Sequence, residues 1–341
     1  MTGLLVKSCG PMTSLQDFGR FGWQRYGVAS SGAMDLFALA AANALVGNPG
    51  GAAAIELMLL GGEFTVEAAS IRVAIAGAPC AILLDGEPLG GMTSLSLQRG
   101  QTLAIGAAQT GVYAYLAVAG GFMLQPQLGS LSLHPRACIG GFAGRPLRAG
   151  DRLPLRLAEA PHRDELALDP LALDADAPIR VVLGPQDDYF TGSGIETFLS
   201  ATYRVSPEAD RMGYRLAGER IEHAQGYNIV SDGIVGGSVQ VPGSGEPIVM
   251  MADRQTTGGY PKIATVISPD LRVLAQRRPG QPVRFQAIGI DEAQRLARER
   301  TQFVTALPSR ARMRRDTLPL SEDLLGLNLA GSAVDALDRD G

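Results

Sequence analysis

Residues 71–89 read IRVAIAGAPCAILLDGEPL, and this stretch indicates the fold class of the chain. Its short apolar runs are rich in strand-forming residues and are separated by Gly77 and Pro79. The dipeptide Asp85–Gly86 then divides two further runs, which is a strong signal for a β-hairpin with a tight turn. We therefore predict antiparallel strands joined by short turns in this part of the chain.

The same pattern of short apolar runs and turn residues extends over both halves of the sequence. Forty-three glycines and 21 prolines separate runs such as FTVEA, TLAIGAA, PIVMMAD and KIATVIS. Helices are predicted only at 35–46, 194–201 and 291–307, where alanine, leucine and charged residues recur at helical spacing. The sequence therefore predicts a mainly β protein with a few helices (α+β), built from two β-barrel-like domains.

One segment interrupts this pattern and predicts the domain boundary. Residues 157–177 mix acidic residues, alanine and proline without periodicity, which is typical of a surface linker. We accordingly predict an N-terminal barrel-like domain over residues 1–156, a linker over 157–177, a C-terminal barrel-like domain over 178–307 and an irregular tail over 308–341.

Charge and cysteine usage argue against several classes of function. The net charge is −4 and no long basic stripe occurs, so no nucleic-acid partner is expected. No apolar run reaches the roughly 18 residues of a membrane span, so no membrane partner is expected and the default location is cytoplasmic. Cys9, Cys80 and Cys138 lie far apart without metal-ligand spacing, so neither a disulfide framework nor a metal site is expected.

The segment DRQTTGGYPK, residues 253–262, combines polar residues with paired glycines between two apolar runs. It ends at Lys262, one of only two lysines in a chain with 28 arginines, the other being Lys7. Three further glycine-containing polar segments lie at 14–35, 140–151 and 210–218. Arg20, Arg211 and Arg254 in these segments offer the forked donors that suit a carboxylate or a phosphate, although structural ion pairs would use the same residues.

Taken in their order along the chain, these segments resemble the allophanate hydrolase subunit 2 family, also called the biotin-dependent carboxyltransferase family. The resemblance runs from Thr13 to Phe285 and is carried by these stretches: SLQDFGRFGWQRYGVASSGAMD, AANALVGN, YLAVAGGF, GGFAGRPLRAGD, LGPQDDYF, DRMGYRLAG, SDGIVGGSVQVPGSGEP, MMADRQTTGGYPKIATVISPDL and LAQRRPGQPVRF. It implies two cyclophilin-like β-barrel domains, in agreement with the strand-rich pattern.

The resemblance also implies a function. It is greatest to the C subunits of 5-oxoprolinase, which open the lactam 5-oxo-L-proline to L-glutamate with ATP and Mg²⁺, together with separately encoded A and B subunits. The chain alone is expected to hold no cofactor. Two alternatives stay open: transfer of a carboxyl group from biotin to urea or a related amide, and a regulatory protein that sequesters a kinase inhibitor.

With the resemblance, Lys262 is predicted to contact an anionic substrate or intermediate in a shared active site. Asp253 is predicted to orient Arg254 or to act as a base, and Tyr260 to cover the ligand or donate a proton. Gly258 and Gly259 would offer backbone N–H groups as a nest. The alternative is a tight turn whose lysine is solvated. The full set of predicted substrate-binding residues is Arg254, Gln255, Thr256, Thr257, Gly258, Gly259, Arg211, Gln16, Asp17 and Arg20. For the segments 16–20 and 210–213 the alternative is a structural clasp between barrel and loops.

Overall fold

The computed structural model describes residues 3–314, in which short strands predominate and four α-helices occur. This confirms the prediction of a mainly β protein with a few helices. The helices are α1 (Leu36–Val46), α2 (Gly192–Ser200), α3 (Leu271–Ala275) and α4 (Ile290–Arg310). Three of them match the predicted helices, whereas α3 was not predicted because its five residues are too few to show a helical period.

Eleven strands of the first half form two antiparallel sheets. They are β1 (Gly3–Cys9), β2 (Ser14–Gln16), β3 (Ala54–Met58), β4 (Gly62–Val66), β5 (Ser70–Gly77), β6 (Cys80–Leu84), β7 (Glu87–Leu89), β8 (Ser94–Gln98), β9 (Thr102–Ala108), β10 (Tyr113–Val118) and β11 (Arg152–Pro154). One sheet has the order β11-β1-β4-β9-β6-β7 and the other β2-β3-β10-β5-β8.

The two sheets enclose one apolar core, which includes Val6 and Phe64 from the first sheet and Val73 and Leu116 from the second. Successive side chains of a strand point to opposite faces, so each sheet turns one face to this core. The predicted hairpin forms as β6 and β7, with Leu84 opposite Glu87 and the Asp85–Gly86 turn at positive φ.

In the second half, eight strands form a sheet whose two edges meet. Its order is β21-β14-β15-β18-β17-β20-β13-β22, with β13 (Ile179–Leu183), β14 (Tyr203–Val205), β15 (Gly213–Ala217), β17 (Ser238–Gln240), β18 (Ile248–Met250), β20 (Lys262–Val266), β21 (Pro282–Val283) and β22 (Phe285–Ala287). The edge strands β21 and β22 are separated by one residue in the chain, yet they pair with strands at opposite ends of the order. The sheet is therefore curled into a nearly closed barrel.

Helix α1 joins the two halves. Its carboxylate cap is Asp35, which accepts hydrogen bonds from the backbone N–H groups of Phe37 and Ala38. Nine of the 11 helical residues are buried, and the helix packs on β5, β10 and α4. Its side chains belong to the same apolar cluster as Tyr203 and Leu307 of the second half, so one core runs through both halves.

The predicted linker and tail contain regular structure. Strand β12 (Leu166–Ala167) lies within 157–177 and pairs with β23 (Arg312–Met313), while α4 continues to Arg310. The start of the predicted tail is therefore helix and strand, and residues 315–341 of that tail lie outside the described part. The division into two domains stays a prediction. The two remaining strands, β16 (Asp232–Gly233) and β19 (Thr257–Gly258), pair with each other near the predicted site.

Across residues 3–314, none of the helices combines the length and the apolar composition that a membrane crossing requires. The three cysteines are unpaired, with Cys9 and Cys80 partly buried and Cys138 exposed.

We expect Leu39→Ala to test the role of α1 as the centre of the shared core. Leu39 is fully buried, so its truncation should lower the free energy of unfolding by about 2–5 kcal/mol. Leu60→Ala is the matched control, since Leu60 is 53% exposed and its loss should change stability by at most about 0.5 kcal/mol. Urea denaturation monitored by fluorescence measures both. Equal effects of the two substitutions would contradict the shared core.

Candidate functional site

Arg211 lies at the centre of a buried charge cluster between the two halves. Its Nε and Nη2 donate to the two carboxylate oxygens of Asp253 at 2.8 and 3.1 Å, and Nη1 donates to Oε1 of Glu56. Nη2 also donates to the carbonyl oxygen of Gly32 at 2.7 Å. Glu56 belongs to β3 of the first half, whereas Arg211 and Asp253 belong to the second, so the cluster fixes the two halves against each other.

The carboxylates of this cluster and its burial together set the pKa values of Arg211 and Tyr115. Burial alone would lower the pKa of Arg211, but the neighbouring carboxylates of Asp253 and Glu56 raise it well above the ordinary value. Tyr115 donates from its hydroxyl to Glu56 at 2.7 Å, and burial together with that carboxylate raises its pKa well above the ordinary value. Arg211 therefore stays charged, and Tyr115 stays protonated.

Asp253 is the hydrogen-bond partner of Arg211, and both of its oxygens accept from that guanidinium. The carboxylate acts on Arg254 through its charge, which raises the pKa of Arg254 against the larger effect of burial. That Asp253 orients Arg254 stays a prediction. In this geometry Asp253 positions Arg211, and its role as a base stays a prediction.

Arg20 and Arg254 lie close together, and neither is paired with a carboxylate within residues 3–314. Nη1 of Arg254 donates to Ser30 Oγ at 3.3 Å and to the Met251 carbonyl at 3.2 Å. The backbone N–H of Arg20 donates to the Ser30 carbonyl at 2.7 Å, so Ser30 contacts both residues, while the Arg20 guanidinium donates to the Ser132 carbonyl. Burial lowers the pKa of both guanidinium groups. The region thus has a positive charge that hydroxyl and carbonyl oxygens only partly satisfy.

Gln16 and Asp17 form a structural clasp. Asp17 Oδ1 accepts from the hydroxyls of Ser130 and Ser132 at 2.6 Å each, and Oδ2 accepts from the Leu131 N–H at 2.6 Å. Gln16 is fully buried and donates to the Leu133 carbonyl at 3.2 Å. These contacts hold the loop that carries Arg20 against residues 130–133. This arrangement corresponds to the alternative of a clasp, although substrate binding by these residues remains a prediction.

Lys262 is buried and paired, so the alternative of a solvated lysine is wrong. Its Nζ lies 2.6 Å from Oδ2 of Asp232 and 3.2 Å from the carbonyl oxygen of Gly233. The lysine side chain is 3% exposed, whereas that of Asp232 is 52% exposed. Gln186 donates to the same Asp232 oxygen at 3.1 Å and accepts from the Lys262 backbone N–H at 3.1 Å. The hydrogen bond from Lys262 is the main reason that the pKa of Asp232 is lowered.

The paired glycines lie beside this ion pair but do not form an anion nest. Gly258 belongs to β19, where it is opposite Asp232, and neither Gly258 nor Gly259 has a positive φ. A nest requires residues of opposite backbone handedness, which are absent at these two positions. A Cβ atom at Gly258 would lie 2.7 Å from Nε2 of Gln240, so glycine here permits close approach of that side chain.

The remaining predicted residues line the surface around the ion pair. Gln255 and Thr257 are exposed, and Gln255 Nε2 donates to Gln240 Oε1 at 3.4 Å. The carbonyl of Thr256 accepts from the Ile234 N–H at 3.0 Å. Tyr260 is 41% exposed, so its ring is available to cover a ligand.

The structure brings Arg254 and Lys262 to one region, because Arg254 Nε donates to the carbonyl of Ile234, which follows the Asp232–Gly233 pair along the chain. Sequence reasoning missed Glu56, Asp232 and Ser30. Asp232 lies in a stretch that is predicted as a strand, and no local pattern indicated that Lys262 would be its partner. In the part of the chain that the structure describes, no group of three or more His, Cys, Asp or Glu side chains is arranged to hold a metal ion.

Arg211→Leu tests the role of the charge cluster. The substitution leaves Glu56 and Asp253 buried without a cation, so unfolding should require about 3–5 kcal/mol less free energy at pH 7. The unpaired carboxylates should then have raised pKa values in the folded state, and the variant should lose stability as the pH rises from 5 to 8.

Arg215→Leu is the control, since Arg215 and its partner Glu208 are 57% and 76% exposed and such a pair contributes at most about 1 kcal/mol. Thermal unfolding across the pH range measures both variants. A loss for Arg211→Leu that is small or independent of pH would contradict the electrostatic role of the cluster.

Comparison with known proteins gives the family. The sequence model of one protein family, described as "carboxyltransferase domain, subdomain A and B", matches residues 26–287. A protein named as the C subunit of 5-oxoprolinase, from Haemophilus influenzae, is 40% identical over 84% of this chain and 91% of its own length. A protein of the same name from Escherichia coli is 36% identical over 89% of this chain and 97% of its own length.

The same architecture occurs in a much larger enzyme. The crystal structure of the urea amidolyase of K. lactis superposes with a TM-score of 0.83 at 27% identity, over 94% of this chain. This chain spans only 20% of the length of that protein. With residues 26–287 matched and relatives at 36% and 40% identity, the chain belongs to the family of the carboxyltransferase domain, subdomain A and B.

Proposed function

We propose that this chain is the C subunit of an ATP-dependent 5-oxoprolinase, which opens 5-oxo-L-proline to L-glutamate and works together with separately encoded A and B subunits. The observation that carries the proposal is the nearly full-length match to proteins named as C subunits of 5-oxoprolinase. The fraction of urea amidolyase that the chain matches is far smaller, so its similarity to that enzyme supports less of a complete activity.

The charges of the site suit an anionic lactam. The carboxylate of 5-oxoproline would be held by Arg254, which is buried and has no carboxylate partner within residues 3–314. The Lys262 ammonium would face the lactam carbonyl oxygen, where negative charge develops as water adds to the carbonyl carbon. That charge returns to the C=O bond when the ring C–N bond breaks and the nitrogen takes up a proton. Asp232 is half-exposed, so it can leave the ammonium and make room for that oxygen without breaking a packed core.

Exposed apolar side chains on both sides of the site support completion by a partner. Phe21 and Tyr26 follow Arg20 and are 70% and 63% exposed, while Val230, close to Asp232 in the chain, is 92% exposed. The loops that carry them approach each other, because Arg254 donates to both Ser30 and Ile234. Exposed aromatic and aliphatic side chains on neighbouring loops are typical of protein interfaces. The B subunit of 5-oxoprolinase is the proposed partner at this surface.

Reconstitution tests the proposed function. The purified A and B subunits from the same organism are mixed with this chain, and glutamate release from 5-oxoproline is measured with ATP and Mg²⁺. We expect release only when all three proteins are present, and each omission should abolish it. A stable complex of three folded proteins that releases no glutamate would contradict the proposal.

In that complex, Lys262→Ala should lower glutamate release by about 10²–10³-fold, the usual effect of removing a group that stabilises developing negative charge. Lys7→Ala is a matched control because Lys7 is the only other lysine and is exposed. Lys262→Arg should restore little activity, since a planar fork does not replace a point charge. Size-exclusion chromatography verifies assembly of each complex. Wild-type turnover by an assembled Lys262→Ala complex would contradict the role of Lys262.

A second candidate is carboxyl transfer from biotin to an amide. It is favoured by the similarity to urea amidolyases, one of which, from Lachancea kluyveri, is 31% identical over 89% of this chain. Because the chain matches only 18% of that protein, further domains would have to supply the carboxylated biotin. Avidin separates the candidates: it should inhibit biotin-dependent carboxyl transfer and leave 5-oxoproline opening unchanged.

A further inference from the structure

A cavity of about 660 Å³ lies between the two halves, away from Lys262. Its walls come from β5 and β6 of the first half, from residues 168–175 and from the segment 272–281 that begins in α3. A volume of several hundred Å³ is the usual size of a pocket for a small organic ligand.

Most of the cavity wall is aliphatic. Ile75, Ile82 and Met92 line it from the first half, and Leu168 and Leu171 line it from the segment between the halves. None of the described residues that line it is aromatic. Such a wall favours a flexible alkyl chain, because burial of each CH₂ group is favourable and no flat ring surface is available for stacking.

The cavity wall also has polar residues, and their charges do not balance. Asp35 accepts from Gln276 Nε2 at 3.0 Å, and its other oxygen lies 3.3 Å from Nε of Arg272, so this carboxylate is already paired. Arg277 also lines the cavity and is 4% exposed. The cavity lining thus has two guanidinium groups and one carboxylate.

Arg277 is held only by carbonyl oxygens. Its Nη2 donates to Ala177 at 2.7 Å and its Nη1 donates to Pro282, whereas its buried Nε has no partner. Within residues 3–314 no carboxylate lies at ion-pair distance from it. Burial lowers the pKa of Arg277. The charges of Asp176 and Asp174 raise this pKa from a longer distance, and the charge of Arg284 lowers it. A buried cation without a counter-ion is costly, and an anion in the cavity would compensate it.

We propose that this cavity binds a medium-chain aliphatic carboxylate, with the carboxylate against Arg277 and the alkyl chain along Ile75, Met92 and Leu171. The site is separate from Lys262, and the proposal does not depend on 5-oxoprolinase activity.

The probe is octanoate, and the readout is alkylation of Cys80, which lines the cavity. The full-length chain is treated with iodoacetamide at mildly alkaline pH, and the rate at each cysteine is followed by mass spectrometry. Cys138 is exposed and does not line the cavity, so it serves as the internal control. Octanamide has the same chain without the charge. The thermal unfolding midpoint is measured for the same ligands as a second readout.

We expect octanoate to slow alkylation of Cys80 and to raise the unfolding midpoint, with no change at Cys138. Octanamide should bind about tenfold more weakly, since the ion pair with Arg277 is replaced by a weaker hydrogen bond to a neutral carbonyl oxygen. Arg277→Gln should remove the preference for octanoate over octanamide. Because Arg277 also holds two backbone carbonyl groups, a second variant separates binding from folding. Leu171→Trp fills the cavity from a half-buried position and should abolish the effect of both ligands.

The proposal is overturned if octanoate changes neither the rate at Cys80 nor the unfolding midpoint. Equal binding of octanoate and octanamide would also overturn it, because the carboxylate would then contribute nothing. The same conclusion would follow if Leu171→Trp responded to octanoate like the native chain.

Discussion

The contact of Arg211 with Glu56 and Asp253 is the constraint on which the arrangement of the two halves depends. All three side chains are at most 4% exposed, so none can obtain compensation from water. A buried cation is tolerated only where carboxylates and carbonyl oxygens surround it, which fixes both distance and orientation. Since Glu56 also binds the hydroxyl of Tyr115 and the backbone of Met34, the entry to α1 is held in the same network. The loops around Arg254 and Lys262 extend from this fixed centre.

Two kinds of buried or partly buried arginine can be distinguished within residues 3–314. Arg211 and Arg180 are compensated by carboxylates, and they join parts of the structure. Arg20, Arg254 and Arg277 are buried but bound by carbonyl and hydroxyl oxygens only. Arg72 is buried in the same way, against Ser94 and the carbonyl of Asp164. Two of the places where a buried guanidinium lacks a carboxylate are relevant to our proposals: the loops around Arg254 and the cavity that Arg277 lines. In our proposals both places bind anionic ligands, the first one during the reaction and the second one at a separate site.

The family relationship explains why a site with these charges lies at an apolar, exposed surface. In the large urea amidolyases this region is one part of a long chain, whereas here it is about as long as the relatives named as C subunits of 5-oxoprolinase. The surface with Phe21, Tyr26 and Val230 would be covered by a separate protein in our proposal. Buried cations would then meet the substrate in a space from which the partner excludes water, where charge interactions are stronger.

The sequence by itself determined the features that depend on neighbouring residues. The hairpin at Asp85–Gly86, the cap of α1 at Asp35 and the mainly β character follow from local turn chemistry and periodicity. It also identified Lys262, Arg211 and Arg254 as unusual, through composition and the family resemblance. Only the tertiary structure decided their partners: Glu56 is 155 residues from Arg211, and Asp232 is 30 residues from Lys262. Local patterns contain no information on such pairs, because the closure of the barrel and the shared core bring them together.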